Sequence, residues 1–564
     1  MTPLPDKKDI KGFEFKHATY CRNQEDRHDD LLVVKEIIHT QDGGHIKNLR
    51  MVRNYPKKFY ITYPGKRTYN DKIEWEHLEN LQSFETNQAQ LLDRVKQALN
   101  ETWKPGGLKQ IAQTPYLFGA DISTATLLNK KYKTQFPDCI SDNEVAVLDI
   151  ENDVVEGHGR ILCVGITFKD KAFIAATEEY VGNTPLFEES VRRVFHEQLK
   201  EIIEARNITL EVSVVPDAAR ACYEAIQKAH QWQPDFVTIW NIDYDLPRIV
   251  AALKAGGYNL ADVFSDPRVP HEYRFFEYIQ GKKQRITSSN KVSTIPPSEQ
   301  WHVALAPASF YWIDSMCVYR FIRLAKQKEA SYSLDYQLNK HLGLRKLKFN
   351  HLEEINEVND PLMWHQVMQS RYKVEYAVYN LFDCIGVELF DDKVKDLKQT
   401  ISVLSGVSEY RIFDSQPKRL IDQLYFLCLE KGMVIATLGD IEDPLDDHVV
   451  SPKHWIVTLA SHMTTGDGLE NLEELPGHST QLRAHVADAD LSAAYPSGQL
   501  ILNISKETTY REVSQIQGTT ETQRRMAGIN MTAAKTNAVE VCQSLLSAPS
   551  MDTLLEAFKT TKGL

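Results

Sequence analysis

Residues 143–151 read NEVAVLDIE, an apolar run that ends in two acids. The β-branched and apolar residues 145–148 predict a buried strand, with Asp149 and Glu151 at its carboxyl end. Because side chains alternate between the two faces of a strand, both carboxylates point the same way. Burying two like charges side by side is costly unless a cation lies between them, and a divalent metal ion would suit. The other interpretation of a lone D-x-E is a strand that emerges into solvent.

The size and composition indicate a globular protein of several domains. The 564 residues are too many for one core and predict roughly three or four domains. No apolar run reaches the roughly 18 residues that a membrane span needs, and the polar start does not resemble a signal peptide. The net charge of -12 does not exclude a polyanionic partner, since the local distribution of charge matters more. Eight cysteines without a C-x-x-C pair favour reduced thiols over disulfides or a zinc site.

Further acids follow predicted elements along the chain. Residues 160–168 and 171–176 predict two strands joined by a short turn, and residues 81–102 and 185–205 predict helices. Residues 234–247 read PDFVTIWNIDYDLP, a strand running into an acidic turn that contains Asp245, where a lone acid is usually a cap or turn residue.

A third acid lies in a predicted helix. Residues 370–397 carry apolar side chains at helical spacing. Tyr379 and Asp383 are four residues apart and therefore share one face of that helix.

Together, D-x-E, N-x-x-Y-D and Y-x-x-x-D, in that order, resemble the three exonuclease motifs of family B DNA polymerases of the DEDD type with tyrosine. The runs TIWNIDYDLPRI and YNLFD are similar to those of the replicative polymerases of T-even-like phages. The resemblance implies a proofreading 3′→5′ exonuclease.

The residues suit that chemistry. Four carboxylates can hold two divalent ions about 4 Å apart, one activating the attacking water and one stabilising the leaving 3′ oxygen. Mg²⁺ suits all-oxygen ligands, with Mn²⁺ as an alternative. The predicted catalytic metal ligands are Asp149, Glu151, Asp245 and Asp383. On the resemblance, Tyr379 orients the attacking water, and Asn241 and Tyr244 belong to the substrate-binding surface.

Residues 486–497, VADADLSAAYPS, resemble the family's first polymerase motif, D-x-x-S-L-Y-P-S, and NISKET follows at 503–508. The resemblance implies that Asp490 is a catalytic metal ligand, that the carbonyl of Leu491 lies beside it, and that Tyr495 packs under the sugar. Two alanines replace the usual Ser-Leu, and Asp488 offers a competing carboxylate.

The second palm carboxylate, in a D-T-D turn, and the fingers motif K-x-x-x-N-S-x-Y-G do not occur in the sequence. Nucleotide addition would therefore need a second chain. One hypothesis is the exonuclease-bearing subunit of a split family B polymerase, or the N-terminal portion of such a polymerase. It would bind a DNA primer-template and, through that second chain, dNTPs and a sliding clamp. The other is a self-sufficient 3′→5′ DNA exonuclease that acts on single-stranded 3′ ends and keeps a vestigial, DNA-binding palm. A non-enzymatic scaffold would require all four carboxylates to be coincidental.

The expected architecture is α+β. It comprises a β-rich N-terminal domain (1–140), an RNase H-like exonuclease domain (141–397), a connecting segment that returns to the first domain (398–450) and a partial palm (451–564). The resemblance implies a place in phage DNA replication, in the cytoplasm of an infected bacterial host and away from any membrane.

For two basic stretches, the sequence allows more than one interpretation. Residues 47–72 combine basic and aromatic residues, either as a contact surface for single strands or as a solvated β-rich face with its aromatic rings in the core. The basic run GKKQR at 281–285 predicts a solvated turn, and the resemblance implies a β-hairpin there that helps to move the primer end.

Overall fold

The computed structural model describes residues 7–70, 72–100, 102, 106–157, 159–286, 292–349, 352 and 360–438, and the backbone of three strands between 509 and 537. The chain forms two compact units, Met1–Asp440 and Ile441–Leu564. The described part of the second unit is a three-stranded antiparallel sheet. The chain is of the mixed α+β class, as predicted.

Eighteen strands are described in the first unit and three in the second. In chain order they are β1 (Ile10–Arg22), β2 (Asp30–Thr40), β3 (His45–Arg53), β4 (Lys57–Thr62), β5 (Trp75–His77), β6 (Leu81–Thr86), β7 (Leu117–Phe118), β8 (Val145–Asn152), β9 (Ile161–Phe168), β10 (Lys171–Thr177), β11 (Thr209–Val215), β12 (Phe236–Ile239), β13 (Glu277–Ile279), β14 (Gln284–Ile286), β15 (Val292–Thr294), β16 (Val303–Leu305), β17 (Tyr311–Asp314), β18 (Met433–Ile435), β19 (Thr509–Gln515), β20 (Ala527–Ala533) and β21 (Thr536–Asn537).

All the described α-helices belong to the first unit. They are α1 (Leu91–Leu99), α2 (Leu108–Ile111), α3 (Thr124–Gln135), α4 (Glu178–Val181), α5 (Phe187–Gln198), α6 (Lys200–Arg206), α7 (Ala218–Trp232), α8 (Ile242–Ala255), α9 (Leu260–Phe264), α10 (Ser315–Ile322), α11 (Leu334–Leu342), α12 (Pro361–Arg371), α13 (Lys373–Val394), α14 (Ile401–Ser405) and α15 (Gln416–Glu430). A π-turn, Asp396–Thr400, follows α13.

An eight-stranded sheet organises the first unit, in the order β11-β10-β9-β8-β12-β17-β16-β13. Strand β8 lies near its centre, antiparallel to β9 on one side and parallel to β12 on the other. Its side chains alternate between two cores: Ala146, Leu148 and Ile150 belong to one, and Val147 belongs to the other together with much of α13. Because α13 covers the face that carries Val147, the side chains of Asp149 and Glu151 point towards that helix.

The N-terminal part consists of smaller antiparallel sheets, β1-β2-β3 and β6-β4-β7. Strand β18 pairs with β5, so residues after α15 return to this part of the chain. In the basic and aromatic stretch, Phe59 and Tyr60 are buried in the core. Lys57, also buried, donates to Gln88 Oε1 at 2.8 Å, and Arg53 pairs with Asp29 at 2.8 Å. These groups are committed to folding contacts, which favours the second interpretation for them.

The strand pair predicted at 160–168 and 171–176 is confirmed as β9 and β10. Residues 81–102, predicted as one helix, instead contain strand β6 and then α1. Strand β6 pairs along its length with β4, and the ring of Phe84 stacks on that of Phe59 at 5.2 Å between centroids. Cross-strand pairing thus outweighs the helical spacing of the apolar residues.

The predicted helix over 185–205 is divided into α5 and α6. Leu199 separates them, with a non-helical φ of -119°, and is buried in the core. The seven described cysteines are free and buried. Among the described helices, none combines the length and the hydropathy required to span a bilayer.

Candidate active site

Three carboxylates meet where strand β8 faces helix α13. One ligand oxygen from each of Asp149, Glu151 and Asp383 lies within 4.8 Å of the other two. Glu151 and Asp383 are buried, and Asp149 keeps partial exposure. The prediction that Asp149 and Glu151 point the same way is confirmed, because both accept hydrogen bonds from α13.

Helix α13 fixes the two strand carboxylates. Asn380 donates from Nδ2 to Asp149 Oδ2 at 2.8 Å, and the hydroxyl of Tyr376 donates to Glu151 Oε2. The Tyr376 oxygen also accepts from Gln369 Nε2 at 3.1 Å and lies 2.8 Å from His365 Nδ1. Each of the two strand carboxylates is therefore held in one orientation by a buried side chain of α13.

Asp245 is the fourth predicted carboxylate and lies in the first turn of helix α8, where it is buried. Residues 234–247 were expected to form a strand that runs into an acidic turn. The strand is observed as β12, but the acids belong to helix α8, which begins at Ile242 and continues through Pro247. Asn241 precedes it in a left-handed conformation with φ of 74°. Leu246 and other apolar residues of α8 are buried in the core of the sheet. The stabilisation from this burial outweighs the loss of the backbone hydrogen bond that Pro247 cannot donate.

A lysine balances part of the negative charge. Lys346 pairs with Asp383 Oδ2 and donates to the hydroxyl of Tyr379 at 3.1 Å. Burial favours the neutral amine, but the charge of Asp383 reverses this and raises the pKa of Lys346 above its ordinary value. The Tyr379 ring stacks parallel to that of Tyr376, with centroids 5.8 Å apart.

The carboxylates repel one another at neutral pH. Burial, followed by the charge of Asp383, raises the pKa of Asp149 to about 7. Burial and then the charge of Asp149 raise the pKa of Glu151 well above its usual range. For Asp245, burial and the charges of Asp149 and Glu151 also raise the pKa, so Asp245 is electrostatically part of the cluster although its oxygens are outside the closest group. Such mutual elevation is typical of a site built for added positive charge.

The donor set fits a hard divalent cation. All the ligands are carboxylate oxygens, which Mg²⁺ and Mn²⁺ prefer. Asp383 Oδ1 is buried and makes no hydrogen bond, so an acceptor is left over at the centre of the cluster. Asp149, Glu151, Asp383 and Asp245 would supply the ligands.

The exposed side of α8 carries an aromatic ring. The side chain of Tyr244 is 46% exposed, and the guanidinium of Arg248 lies over its ring at 3.8 Å from the centroid. Tyr244 directly precedes Asp245, so an exposed aromatic ring lies one residue away in the sequence from an acid of the cluster.

The basic run at 281–285 is tied to the same helix. Lys283 pairs with Asp243 at 3.0 Å, and Gln280 Nε2 donates to the same carboxylate at 2.6 Å. Strands β14 and β15 form a two-stranded antiparallel pair here. The segment predicted as a turn is therefore attached to the beginning of α8.

Of the predicted exonuclease ligands, Asp149, Glu151 and Asp383 thus fall together and Asp245 lies outside their closest group. The predicted polymerase residues Asp490, Leu491 and Tyr495 lie outside the described residues. Three contributors went unpredicted: Lys346, Tyr376 and Asn380. The two helix residues share a face with Asp383 at spacings of seven and three, a signal that was present in the sequence. A scan of the chain against models of protein families finds no match, and neither does a search of curated proteins.

Proposed function

We propose that this chain is a 3′→5′ DNA exonuclease, the proofreading part of a family B DNA polymerase with an RNase H-like exonuclease domain. The observation that carries the proposal is the convergence of Asp149, Glu151 and Asp383 within 4.8 Å. Burial and the charges of Asp149 and Glu151 also raise the pKa of the nearby Asp245. These are the acids of three motifs that resemble the family's exonuclease motifs in kind and in order.

The reaction is hydrolysis of the terminal phosphodiester. Mg²⁺ held by the four carboxylates would activate water and stabilise negative charge on the departing 3′ oxygen. Water adds its oxygen to phosphorus, the bond from phosphorus to the 3′ oxygen breaks, and that oxygen takes up a proton. The products are a nucleoside 5′-monophosphate and a strand that is one nucleotide shorter.

Tyr379 and Lys346 are the residues proposed to orient the attacking water. Burial and the neighbouring Asp383 raise the pKa of Tyr379 well above its usual range, so its phenol remains protonated and keeps a proton to donate. Lys346 donates to the phenol oxygen at 3.1 Å and limits how it can rotate. A fixed hydroxyl beside buried carboxylates can hold a water molecule in line with the scissile bond.

Tyr244 is suited to hold the substrate. Its exposed ring offers a stacking surface, and an aromatic ring accepts any unpaired base. A frayed 3′ end supplies such a base, whereas a paired end does not. Single-stranded 3′ ends and mismatched primer ends are therefore the proposed substrates.

Nucleotide addition is proposed only together with a second chain that carries the missing palm and fingers motifs. A self-sufficient exonuclease remains the alternative. The two proposals differ in what happens when dNTPs and a candidate partner chain are added.

The test is a gel assay of the purified chain on a primer-template with a 5′-labelled primer in Mg²⁺, with and without all four dNTPs. We expect the primer to be shortened, and we expect Asp149→Ala/Glu151→Ala to abolish the shortening because both strand ligands are lost. Asp170→Ala/Glu189→Ala is the matched control, since it removes two exposed acids and leaves the cluster intact.

No shortening by the wild-type chain would refute the exonuclease proposal. Extension by this chain alone would refute the requirement for a second chain. Extension that appears only after a partner chain is added would favour the split polymerase over the self-sufficient enzyme.

A further inference from the structure

One buried glutamine joins the end of strand β8 to helix α13. Gln369 lies near the carboxyl end of α12 and is 4% exposed. Its side-chain amide makes three hydrogen bonds, and all of them reach residues next to the carboxylate cluster. None of the three is needed to form α12, because they are made by the side chain and not by the helix backbone.

Two of these bonds hold the backbone on the carboxyl side of Glu151. Gln369 Oε1 accepts from the N–H of Val154 at 3.0 Å, and Gln369 Nε2 donates to the carbonyl of Asn152 at 2.7 Å. Among the described strands, β12 pairs with β8 only along residues 145–147. The glutamine amide thus pairs with the backbone beyond the point where that strand neighbour ends, and it fixes the chain one residue after a proposed metal ligand.

The third bond reaches the side chain of Glu151 through Tyr376. Gln369 Nε2 donates to the phenol oxygen at 3.1 Å, and the hydroxyl of Tyr376 donates to Glu151 Oε2. The backbone N–H of Val154 is a donor, so the amide of Gln369 must present its oxygen there and its NH₂ group to Tyr376. Because the phenol oxygen accepts from the glutamine, its own hydrogen is left for the carboxylate.

The other neighbour of the phenol oxygen is His365, which also belongs to α12. Its Nδ1 lies 2.8 Å from that oxygen. Burial, then the charge of Lys346, lowers the pKa of His365 to about 4, so the imidazole is neutral at pH 7 and carries one N–H. An ionised Glu151 can only accept, so the phenol hydrogen goes to the carboxylate and the imidazole N–H goes to the phenol oxygen.

We propose that Gln369 is a positioning residue for Glu151, and that through Glu151 it sets the affinity of the carboxylate cluster for a divalent cation. Gln369 is not itself a ligand. It fixes the backbone beside the ligand and the phenol that donates to the ligand. The inference rests on the proposed function, because it takes the cluster to be a site for Mg²⁺ or Mn²⁺. Hydrogen-bond partners of a metal ligand commonly contribute about 10- to 100-fold to metal affinity or activity.

A purely structural role for Gln369 has a different consequence. If the glutamine only stabilised the fold, its loss would lower the free energy of unfolding and leave the metal affinity of the folded chain unchanged. The two roles are therefore separated by measuring metal binding, not stability.

The test is isothermal titration of the full chain with Mn²⁺, without DNA, beside Gln369→Met. Methionine has a similar length and removes all three hydrogen bonds, so we expect Mn²⁺ to bind at least about tenfold more weakly than to the wild type. Gln337→Met is the matched control. Gln337 is a fully buried glutamine of α11, and its Nε2 donates to the Ser331 carbonyl at 2.7 Å. Its replacement should leave the Mn²⁺ affinity unchanged.

A second variant tests the route through Tyr376. Tyr376→Phe keeps the ring and removes only the hydroxyl, so it should also weaken Mn²⁺ binding by about tenfold or more. If both residues act on Glu151 by the same route, Gln369→Met/Tyr376→Phe should lose less affinity than the product of the two single losses. Losses that multiply in full would overturn the shared route.

Excision gives a further readout. Raising the Mn²⁺ concentration should restore most of the excision rate of Gln369→Met, because the ligand is misplaced and not lost. No Mn²⁺ binding by the wild type, equal affinity in Gln369→Met, or equal losses in Gln369→Met and Gln337→Met would each overturn the proposal. Mn²⁺ binding that weakens as expected in a chain that shortens no primer would instead refute the exonuclease and leave the role of Gln369 standing.

Discussion

Gly165 sets the distance between strand β9 and the side chain of Asn380. A Cβ at position 165 would lie 2.2 Å from Asn380 Oδ1, far inside van der Waals contact. Gly165 is also the residue that pairs with Asp149 across the two strands. The missing side chain therefore makes room for the amide that orients Asp149.

Gly165→Ala should lower the rate of excision by roughly 10- to 100-fold, the usual effect of disturbing a group that orients a metal ligand. The added methyl group displaces the Asn380 amide, so Asp149 loses its hydrogen bond. Single-turnover excision rates would measure the effect. Gly65→Ala is the control, because a Cβ there meets nothing within 4 Å. An unchanged rate in Gly165→Ala would show that Asn380 does not position Asp149.

Asp149 makes the stability of the metal-free chain depend on pH. Burial and then the charge of Asp383 raise its pKa from 3.8 to about 7, so the folded chain holds this proton more tightly than the unfolded chain. The stabilisation that the bound proton provides is complete below pH 4 and is lost as the pH rises to about 7. With EDTA present, the contribution of Asp149 to the free energy of unfolding should therefore decrease across that interval.

Asp149→Asn removes that ionisation and should raise the free energy of unfolding at pH 8 by about 1–2 kcal/mol, while excision is lost. Urea unfolding at pH 5 and pH 8, with EDTA, would measure the difference between variant and wild type. A variant that is no more stable than the wild type at pH 8 would contradict the raised pKa.

For single residues, the sequence predicts those members of the site that lie on strands or helices with a periodic apolar pattern. Asp149, Glu151 and Asp383 lie on elements with clear spacing, and their convergence follows from a strand facing a helix. Lys346 lies in an irregular segment after α11, where neither period nor spacing indicates a neighbour. Its contact with Asp383 depends on how the chain returns to the sheet, which local sequence does not encode.

Among the elements, α8 and α10 begin at one shared carboxylate. Asp314, buried at the end of β17, accepts from the backbone N–H of Ile242 at 2.8 Å and from that of Cys317 at 2.8 Å. One oxygen serves each helix, so the position of Asp245 in α8 depends on a residue about seventy positions later in the chain. An N-terminal carboxylate also suits the partial positive charge of both helix ends.

Asp314→Ala should lower the free energy of unfolding by about 2–3 kcal/mol, because two buried N–H groups lose their acceptor. Excision should fall as well, since the start of α8 is released. Asp217→Ala is the matched control. Asp217 caps α7 by accepting from Arg220 N at 2.8 Å, and this hydrogen bond does not involve α8. Chemical denaturation together with the gel assay would test both variants, and equal excision by the two would argue against the role of Asp314.

Asp314 also explains why the beginning of α8 was predicted as a turn. The run NIDYDLP contains Asn, Asp and Pro, all residues that favour turns. Asn241 is at the N-cap, but its side chain makes no capping hydrogen bond in this left-handed conformation, and the acceptor comes from β17 instead. By contrast, α13 was predicted closely, since its apolar spacing is decided within the segment itself.

For the molecule as a whole, all four exonuclease carboxylates belong to the unit Met1–Asp440. Asp490 belongs to the other unit, Ile441–Leu564. The four acids proposed for excision therefore belong to one compact unit, which does not contain Asp490.

Asp490→Asn should leave primer shortening within about twofold of the wild-type rate, because Asp490 is not among the four proposed exonuclease ligands, and substitutions outside a site rarely change its free energies by more than about 0.5 kcal/mol. The gel assay without dNTPs would measure it, with Asp149→Asn as the inactive reference. A strong loss of excision in Asp490→Asn would place Asp490 in the exonuclease reaction.

The α+β class and the order of the strands and helices around the three motifs follow from the sequence. The pairing of β8 between β9 and β12 does not, because β12 is more than eighty residues away and each strand alone has several partners of similar apolar character. A cavity whose wall is assembled from residues between positions 13 and 411 is equally beyond prediction, since its parts are far apart in the sequence.

The lysine beside the carboxylates has a practical consequence for anyone who handles this protein. Lys346 gives the acidic cluster one counter-ion of its own, so part of its negative charge is balanced without metal. Chelation with EDTA should stop cleavage yet leave the melting temperature within a few degrees, as scanning calorimetry would show; unfolding on chelation would contradict this. Substrates could then be loaded onto intact, idle protein, and the reaction started by adding back Mg²⁺ or Mn²⁺ at a chosen moment.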